Sequence, residues 1–108
     1  MKHLLFGSKS VFVGDEAADV LVDYAAHVAQ VKSGARVDLL GYSMEGARIT
    51  TTFLLNGGTT LVAETTDLPI DELDNAGAIT WMRERIQQFS GLPEFVAGYT
   101  LAFGRDPA

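Results

Sequence analysis

Residues 37–66 constrain the fold of this chain more than any other stretch, because they contain three β-favouring runs separated by turn residues. β-branched and aromatic side chains favour strands, whereas glycine and asparagine favour tight turns. Consecutive strands joined by short turns pair with their neighbours, so the stretch predicts an antiparallel meander. The predicted strands are residues 37–42, 48–55 and 59–66, and the predicted turns are Ser43-Met44-Glu45-Gly46 and Asn56-Gly57-Gly58.

The length of the second turn determines which side chains face each other in its hairpin. Phe53 and Leu55 lie on one side of their strand, because alternate residues of a strand point to opposite faces. A two-residue turn would put Glu64 on the same side as Phe53, whereas a three-residue turn at 56–58 would put Leu61 there. We predict the three-residue turn, with Phe53 facing Leu61 across the core.

Two helices are predicted from apolar residues that recur every three or four positions. The first covers about residues 15–32, begins after Gly14 and ends at Lys32-Ser33-Gly34. The second covers about residues 75–89 and is capped at Asp74-Asn75. Its expected buried stripe consists of Ile79, Met82, Ile86 and Phe89.

Short β-favouring runs near both ends of the chain complete the secondary structure. Residues 2–6 and 10–13, separated by Gly7-Ser8-Lys9, predict a hairpin, and residues 94–103 alternate like a strand with one apolar face. The resulting order predicts an α+β two-layer sandwich. Its antiparallel sheet combines the meander with the N- and C-terminal strands, and the two helices cover mainly one face. We expect one domain over residues 1–108.

The charge and composition of the chain argue against several classes of function. With 14 acidic and 8 basic side chains the net charge is -6, so the chain would repel a nucleic acid backbone. The absence of cysteine removes disulfides, thiol nucleophiles and thiolate metal sites. No stretch approaches the roughly 20 apolar residues that cross a bilayer, and Leu4-Leu5-Phe6 is too short for the core of a signal peptide. We expect a soluble cytoplasmic protein with neither a nucleic acid nor a membrane as partner.

Asp23 and His27 are spaced for joint chemistry, because residues four apart meet on one helical face. Such a pair could bind a metal or act as a carboxylate-oriented base. A metal site needs three or four ligands, however, and the sequence offers no second cluster at a matching spacing. We therefore favour a solvated helix surface with a weak Asp-His contact, and we predict no metal site. The glycine fingerprint of dinucleotide binding is absent as well, so no cofactor is expected.

Residues 37–46 resemble the nucleophile elbow of α/β-hydrolases, in which a strand delivers Gly-x-Ser-x-Gly onto a helix. That resemblance would make Ser43 a nucleophile. Glu45 stands where the family has glycine, and the residues that follow favour a strand. Both histidines precede Ser43, whereas the histidine of that family follows its serine. We predict that Ser43 is a turn residue, since a serine without a base is a weak nucleophile.

Trp81 is the only tryptophan, and it falls away from the buried stripe of its helix, beside Arg85. Aromatic residues and arginine are enriched where protein interfaces concentrate their binding energy. Either Trp81 marks an interface or ligand site, or the C-terminal tail folds back and covers it. The candidate interface or ligand residues are Trp81, Arg85, Phe95, Tyr99 and Phe103.

Two classes of function remain. The favoured one is a non-catalytic binding or accessory protein that forms a homodimer, through the open face of the sheet or through the C-terminal strand. The alternative is a small-molecule-binding protein or small enzyme with a pocket between sheet and helices. The polar groups of such a pocket would come from Asp23, His27, Tyr42, Arg48 and Tyr99.

Overall fold

The computed structural model describes residues 1–90, and the side chains of residues 1–88. Its elements follow the predicted order through the second helix, and both helices begin and end within two residues of the predicted positions. The strand predicted at residues 94–103 lies outside the described residues. The elements are β1 (Lys2–Phe6), β2 (Lys9–Val13), α1 (Asp15–Gln30), β3 (Ala35–Tyr42), β4 (Arg48–Leu55), β5 (Leu61–Thr65) and α2 (Ala76–Ser90).

The five strands form one antiparallel sheet in the order β4-β3-β2-β1-β5, and α1 and α2 contact each other and the strands. Side chains from both helices and from the inner face of the sheet make one hydrophobic core, which includes Phe53 of β4 and Met82 of α2. The two-layer α+β sandwich is therefore confirmed. Neither α1 nor α2, the helices of the described chain, is long and apolar enough to cross a bilayer.

The predicted meander is correct for its first hairpin and wrong for its third strand. β3 pairs with β4, but β5 pairs with β1 at the opposite edge of the sheet, where Ala63 lies opposite Leu4. Leu61 and Ala63 do pack against the core while Glu64 is exposed, so the inner side of β5 was predicted correctly. The predicted hairpin turn, with Phe53 facing Leu61, is wrong, because Leu61 lies opposite Phe6. An alternating pattern defines a buried side without defining which strand lies beside it.

The connection after β4 turns the chain away instead of closing a hairpin. Thr59 makes the local contacts: its hydroxyl accepts a hydrogen bond from the Asn56 N–H at 2.8 Å and donates one to the Leu54 carbonyl oxygen at 3.1 Å. The Thr59 N–H donates in turn to the Asn56 carbonyl oxygen at 3.1 Å. These contacts complete a turn over residues 56–59, and β5 starts only after it.

The sheet is strongly curled. Residues 56–60 alone join β4 to β5, although these strands lie at opposite edges. Neighbouring strands are about 4.8 Å apart, so the edge strands of a flat five-stranded sheet would be about 19 Å apart. A short connection that also contains a turn does not span that distance. The two edges must therefore approach each other.

β2 and β3 are joined through a single residue pair, Phe12 opposite Tyr42. Gly41 lies at this joint. A Cβ atom on Gly41 would be 2.4 Å from the Phe12 carbonyl oxygen and 2.9 Å from methyl groups of Val11 and Val13. A side chain would hold the two strands apart, so glycine permits their close approach. The glycine of the hydrolase-like string at position 41 is therefore explained by the packing of β3 against β2.

Asn75 takes the place of a strand where β2 ends. β2 passes into α1 at Gly14, so Leu40 of β3 has no strand neighbour on that side. The Leu40 N–H donates to the Asn75 Oδ1 at 2.8 Å, and the Asn75 Nδ2 donates to the Leu40 carbonyl oxygen at 2.9 Å. Both backbone groups of Leu40 therefore point toward Asn75 and away from β4.

Gly14 is the N-cap residue of α1, as predicted. Because glycine has no side chain to accept a hydrogen bond, the Glu72 carboxylate accepts the Asp15 N–H at 3.3 Å. At the other end Lys32, not Gly34, adopts the left-handed conformation, with a φ of 53°. The Lys32 N–H donates to the Ala29 carbonyl oxygen at 3.2 Å. The reversal thus falls at the first residue of the predicted end, Lys32-Ser33-Gly34.

Candidate functional site

Trp81 on α2 and Arg85 one turn later form a surface with Tyr24 of α1 beneath it. The Trp81 ring meets the Tyr24 ring edge to face, with centroids 5.6 Å apart and planes at 77°. The Arg85 guanidinium lies 4.8 Å from the centroid of the Trp81 ring, and its Nε donates to the Tyr24 hydroxyl at 3.1 Å. We call Trp81 and Arg85 the Trp81–Arg85 surface. Trp81 remains 40% exposed.

The helical period of α2 places these two side chains together. Met82, next to Trp81 in sequence, is fully buried in the core, and Ile79 and Ile86 pack against it. Trp81 is therefore turned off the buried stripe, as predicted, and Arg85 follows it four residues later on the same face. The predicted stripe is confirmed for these three residues, while the Phe89 side chain lies outside the described part.

The Arg85 guanidinium contacts two aromatic side chains, Trp81 and Tyr24, and no carboxylate among the described residues. Among residues 1–88, Arg83 pairs with Glu16 at 2.6 Å and Arg36 with Asp38 at 3.5 Å, but Arg85 has no ion pair. Its Nε is occupied by Tyr24, which leaves the four N–H groups on its terminal nitrogens. A guanidinium in this state can bind a carboxylate through two parallel hydrogen bonds. The arrangement places a cation beside an apolar ring.

Tyr24 is the residue of this site that the sequence did not reveal. It falls among the apolar residues of α1 and is 2% exposed, so its periodicity indicates only a core position. A buried tyrosine generally needs a hydrogen-bond partner for its hydroxyl, and this was the available signal that a polar side chain lies next to it. The candidates Phe95, Tyr99 and Phe103 lie outside the described residues.

The Asp23–His27 pair is not the solvated surface that we favoured from the sequence. His27 is 9% exposed on the inner side of α1, whereas Asp23 is exposed. Burial lowers the pKa of His27 below its ordinary value of 6.5. Helical periodicity placed His27 with the polar residues, but α1 is covered on a broader arc than that pattern indicated. Within residues 1–90, no three His, Asp or Glu side chains are arranged to hold a metal ion.

An open groove of about 640 Å³ lies between α1 and α2. Its walls are charged, but three of its carboxylates already have cationic partners: Asp15 with the Met1 amino group, Asp19 with Lys2, and Glu16 with Arg83. Neither Tyr42 nor Arg48, expected as polar groups of a pocket, lines it. The lining residues are Asp15, Glu16, Asp19, Val20, Asp23, Arg83, Ile86 and Gln87.

Tyr42 and Ser43, at the hydrolase-like string, have structural contacts. The Tyr42 hydroxyl donates to the Asp71 carbonyl oxygen at 2.9 Å. Ser43 stands in the turn before β4, where its N–H donates to the Ala47 carbonyl oxygen at 2.8 Å and its Oγ accepts the Ala47 N–H at 3.2 Å. A strand follows Ser43, which confirms that it is a turn residue between two strands.

The fold and the Trp81–Arg85 surface are thus defined by the contacts within this chain, without reference to a related protein. The chain matches no protein-family model, and neither a curated protein nor a solved structure is similar enough to it to indicate a function.

Proposed function

We propose that this chain is a non-catalytic binding or accessory protein that self-associates, and that a partner protein docks on its Trp81–Arg85 surface. The observation that carries the proposal is the 40% exposed Trp81 ring, in contact with Tyr24 and Arg85. An aromatic side chain beside an arginine is typical of the residues that dominate protein interfaces. Contacts that form before binding reduce the side-chain freedom that is lost on binding.

The chemistry of the surface defines what the partner presents. The exposed part of the Trp81 ring covers an apolar side chain, and the terminal nitrogens of Arg85 bind a carboxylate next to it. The chain as a whole carries a net charge of -6, so a broadly acidic partner would be repelled. We therefore expect one Asp or Glu beside an apolar residue on an otherwise neutral or basic partner surface.

A small molecule in the groove between α1 and α2 is the alternative. We place it second because the groove is open and its Asp19 and Glu16 carboxylates are paired with Lys2 and Arg83. A cytoplasmic location, with neither nucleic acid nor membrane as partner, belongs to the favoured proposal. It rests on the acidic charge and on the absence of cysteine from the sequence.

A peptide-display selection on the immobilised full chain tests the docking site. Enriched peptides should carry a carboxylate next to an apolar residue, and calorimetry should show that Trp81→Ala and Arg85→Gln each weaken binding by roughly tenfold or more. Met44→Ala is the matched control, because Met44 is also an exposed apolar side chain but lies in the turn before β4. Peptides that bind all four proteins equally, or a selection without enrichment, would rule out this docking site.

A further inference from the structure

In the edge strand β4, the backbone groups that face away from β3 can be identified residue by residue. Leu40, opposite Thr50, gives both of its backbone groups to Asn75, so this pair has no backbone hydrogen bonds between β3 and β4. The Leu54 carbonyl oxygen also points away from β3, because it accepts from the Thr59 hydroxyl. Because backbone N–H and C=O groups alternate in direction along a strand, those of Ile49, Thr51 and Phe53 point toward β3. The N–H and C=O groups that point outward are those of Arg48, Thr50, Thr52 and Leu54.

The free side of β4 lacks the usual protection of an edge strand. Natural edges are kept short, interrupted by bulges, or marked by proline and inward-pointing charges. β4 pairs with β3 over all of Arg48–Leu55 without a break in register, and it contains neither lysine nor proline. Within residues 1–90, no strand pairs with its outer side. Its outward N–H and C=O groups form a template for another strand, except that the Leu54 carbonyl oxygen already accepts one hydrogen bond from the Thr59 hydroxyl.

Charge indicates which strand fits this template. The chain has 14 acidic residues, yet residues 46–63 contain neither aspartate nor glutamate. A second copy of the chain can therefore approach along β4 without bringing carboxylates of this segment together. The Asp38 carboxylate of β3 accepts from the Thr52 hydroxyl at 2.6 Å, and its charge is paired with Arg36 at 3.5 Å. Antiparallel pairing also places the two copies of Arg48, the only charged residue of β4, at opposite ends of the joint.

We propose that two copies of this chain pair antiparallel through β4, with Thr52 beside the two-fold axis, so that their sheets join into one of ten strands. Thr52 then faces its own copy, and Thr50 of each copy faces Leu54 of the other. This accounts for Leu54, which is 63% exposed on the outer face of the sheet. The inference deepens the proposed function, since it supplies the surface for self-association, and that surface is separate from Trp81 and Arg85.

Hydrogen exchange of the wild-type chain, followed by NMR as concentration is raised, tests the pairing directly. The amides of Thr50, Thr52 and Leu54 should become protected as light scattering reports a doubling of mass, whereas those of Ile49, Thr51 and Phe53 are protected throughout. Protection of these amides in a chain that light scattering shows to be a monomer would mean that the same chain covers the edge, and would overturn the proposal. A monomer at every concentration would overturn it as well.

Thr50→Pro removes one outward N–H and leaves the β3 ladder intact. It should abolish the dimer, whereas Thr65→Pro, an exposed threonine on the edge strand β5, should not. If Thr50→Pro does not fold, Leu54→Lys replaces it as the test. This variant leaves the backbone unchanged and should weaken the dimer. A Thr50→Pro dimer as strong as the wild type would refute the pairing, as would loss of the dimer in Trp81→Ala. Peptide binding at the Trp81–Arg85 surface should survive Thr50→Pro, so the two proposals can fail separately.

Discussion

Phe6 of β1 and Phe53 of β4 meet edge to face, with ring centroids 5.2 Å apart and planes at 76°. β2 and β3 lie between their strands in the sheet order, so in a flat sheet the two strands would be about 14 Å apart. The curl of the sheet brings the rings into contact, and the core is enclosed partly by the sheet itself. Between these two strands, β3 passes close to β2 at Gly41.

Gly41→Ala should be strongly destabilising, because the added Cβ would lie 2.4 Å from the backbone oxygen of Phe12. Backbone atoms cannot move aside as a flexible side chain can, so we expect a loss of about 3 kcal/mol or more in the free energy of unfolding. Urea denaturation measures it. Gly57→Ala is the control: its Cβ would meet no atom within 4 Å, and stability should stay within about 0.5 kcal/mol or rise slightly. Equal effects at both sites would show that β2 and β3 are not in close contact.

Asn75→Asp should lower the free energy of unfolding by about 2–3 kcal/mol at neutral pH. The substitution keeps the shape of the side chain but places a carboxylate oxygen against the Leu40 carbonyl oxygen, at a position only 8% exposed. Protonation gives that carboxylate a donor, so the difference from wild type should shrink in acid. Asn56→Asp, in an exposed turn where the side-chain oxygen accepts the Gly58 N–H, should be nearly neutral. A penalty for Asn75→Asp that does not change with pH would contradict this hydrogen-bond assignment.

The stability of the protein should depend on pH through His27. Burial lowers the pKa of His27 in the folded state below 6.5, so between the folded and unfolded pKa values the unfolded chain binds more protons. The stability that neutral His27 contributes is therefore fully present above about pH 6.5, and it is lost as pH falls toward the pKa of His27 in the folded state. The difference in unfolding free energy between wild type and His27→Gln, measured by denaturation at a series of pH values, should change over this range. Parallel curves for the two proteins would contradict the lowered pKa.

Lys32→Gly should stabilise the protein by about 0.5–1 kcal/mol. Lys32 has a φ of 53° at the end of α1, and this left-handed conformation costs a residue with a side chain about 1–2 kcal/mol, while glycine adopts it freely. Part of the gain is offset because glycine makes the unfolded chain more flexible. Ser33→Gly is the control, since Ser33 does not have a positive φ, and it should give no gain in a thermal unfolding experiment. An equal gain at both positions would mean that backbone strain at Lys32 is not the cause.

Local features of the sequence were sufficient to locate the helices, the strands and most of their buried sides. The period of α2 put Met82 inside and Trp81 outside, and the alternation in β5 put Leu61 inside and Glu64 outside, as the structure has them. These properties depend on backbone preferences and on which face a side chain occupies, and neighbours in sequence determine both. The turn at Ser43 was predictable for the same reason.

Only the tertiary structure decided which elements meet. The partner of β5, the contact between Phe6 and Phe53, the burial of His27 and the support of Trp81 by Tyr24 all join residues that lie far apart in the chain. Each depends on how the whole core closes, and a short periodic pattern is equally satisfied by several strand orders. The sequence alone therefore determined the elements and their apolar faces, whereas the curl of the sheet and the Trp81–Arg85 surface arose from long-range packing.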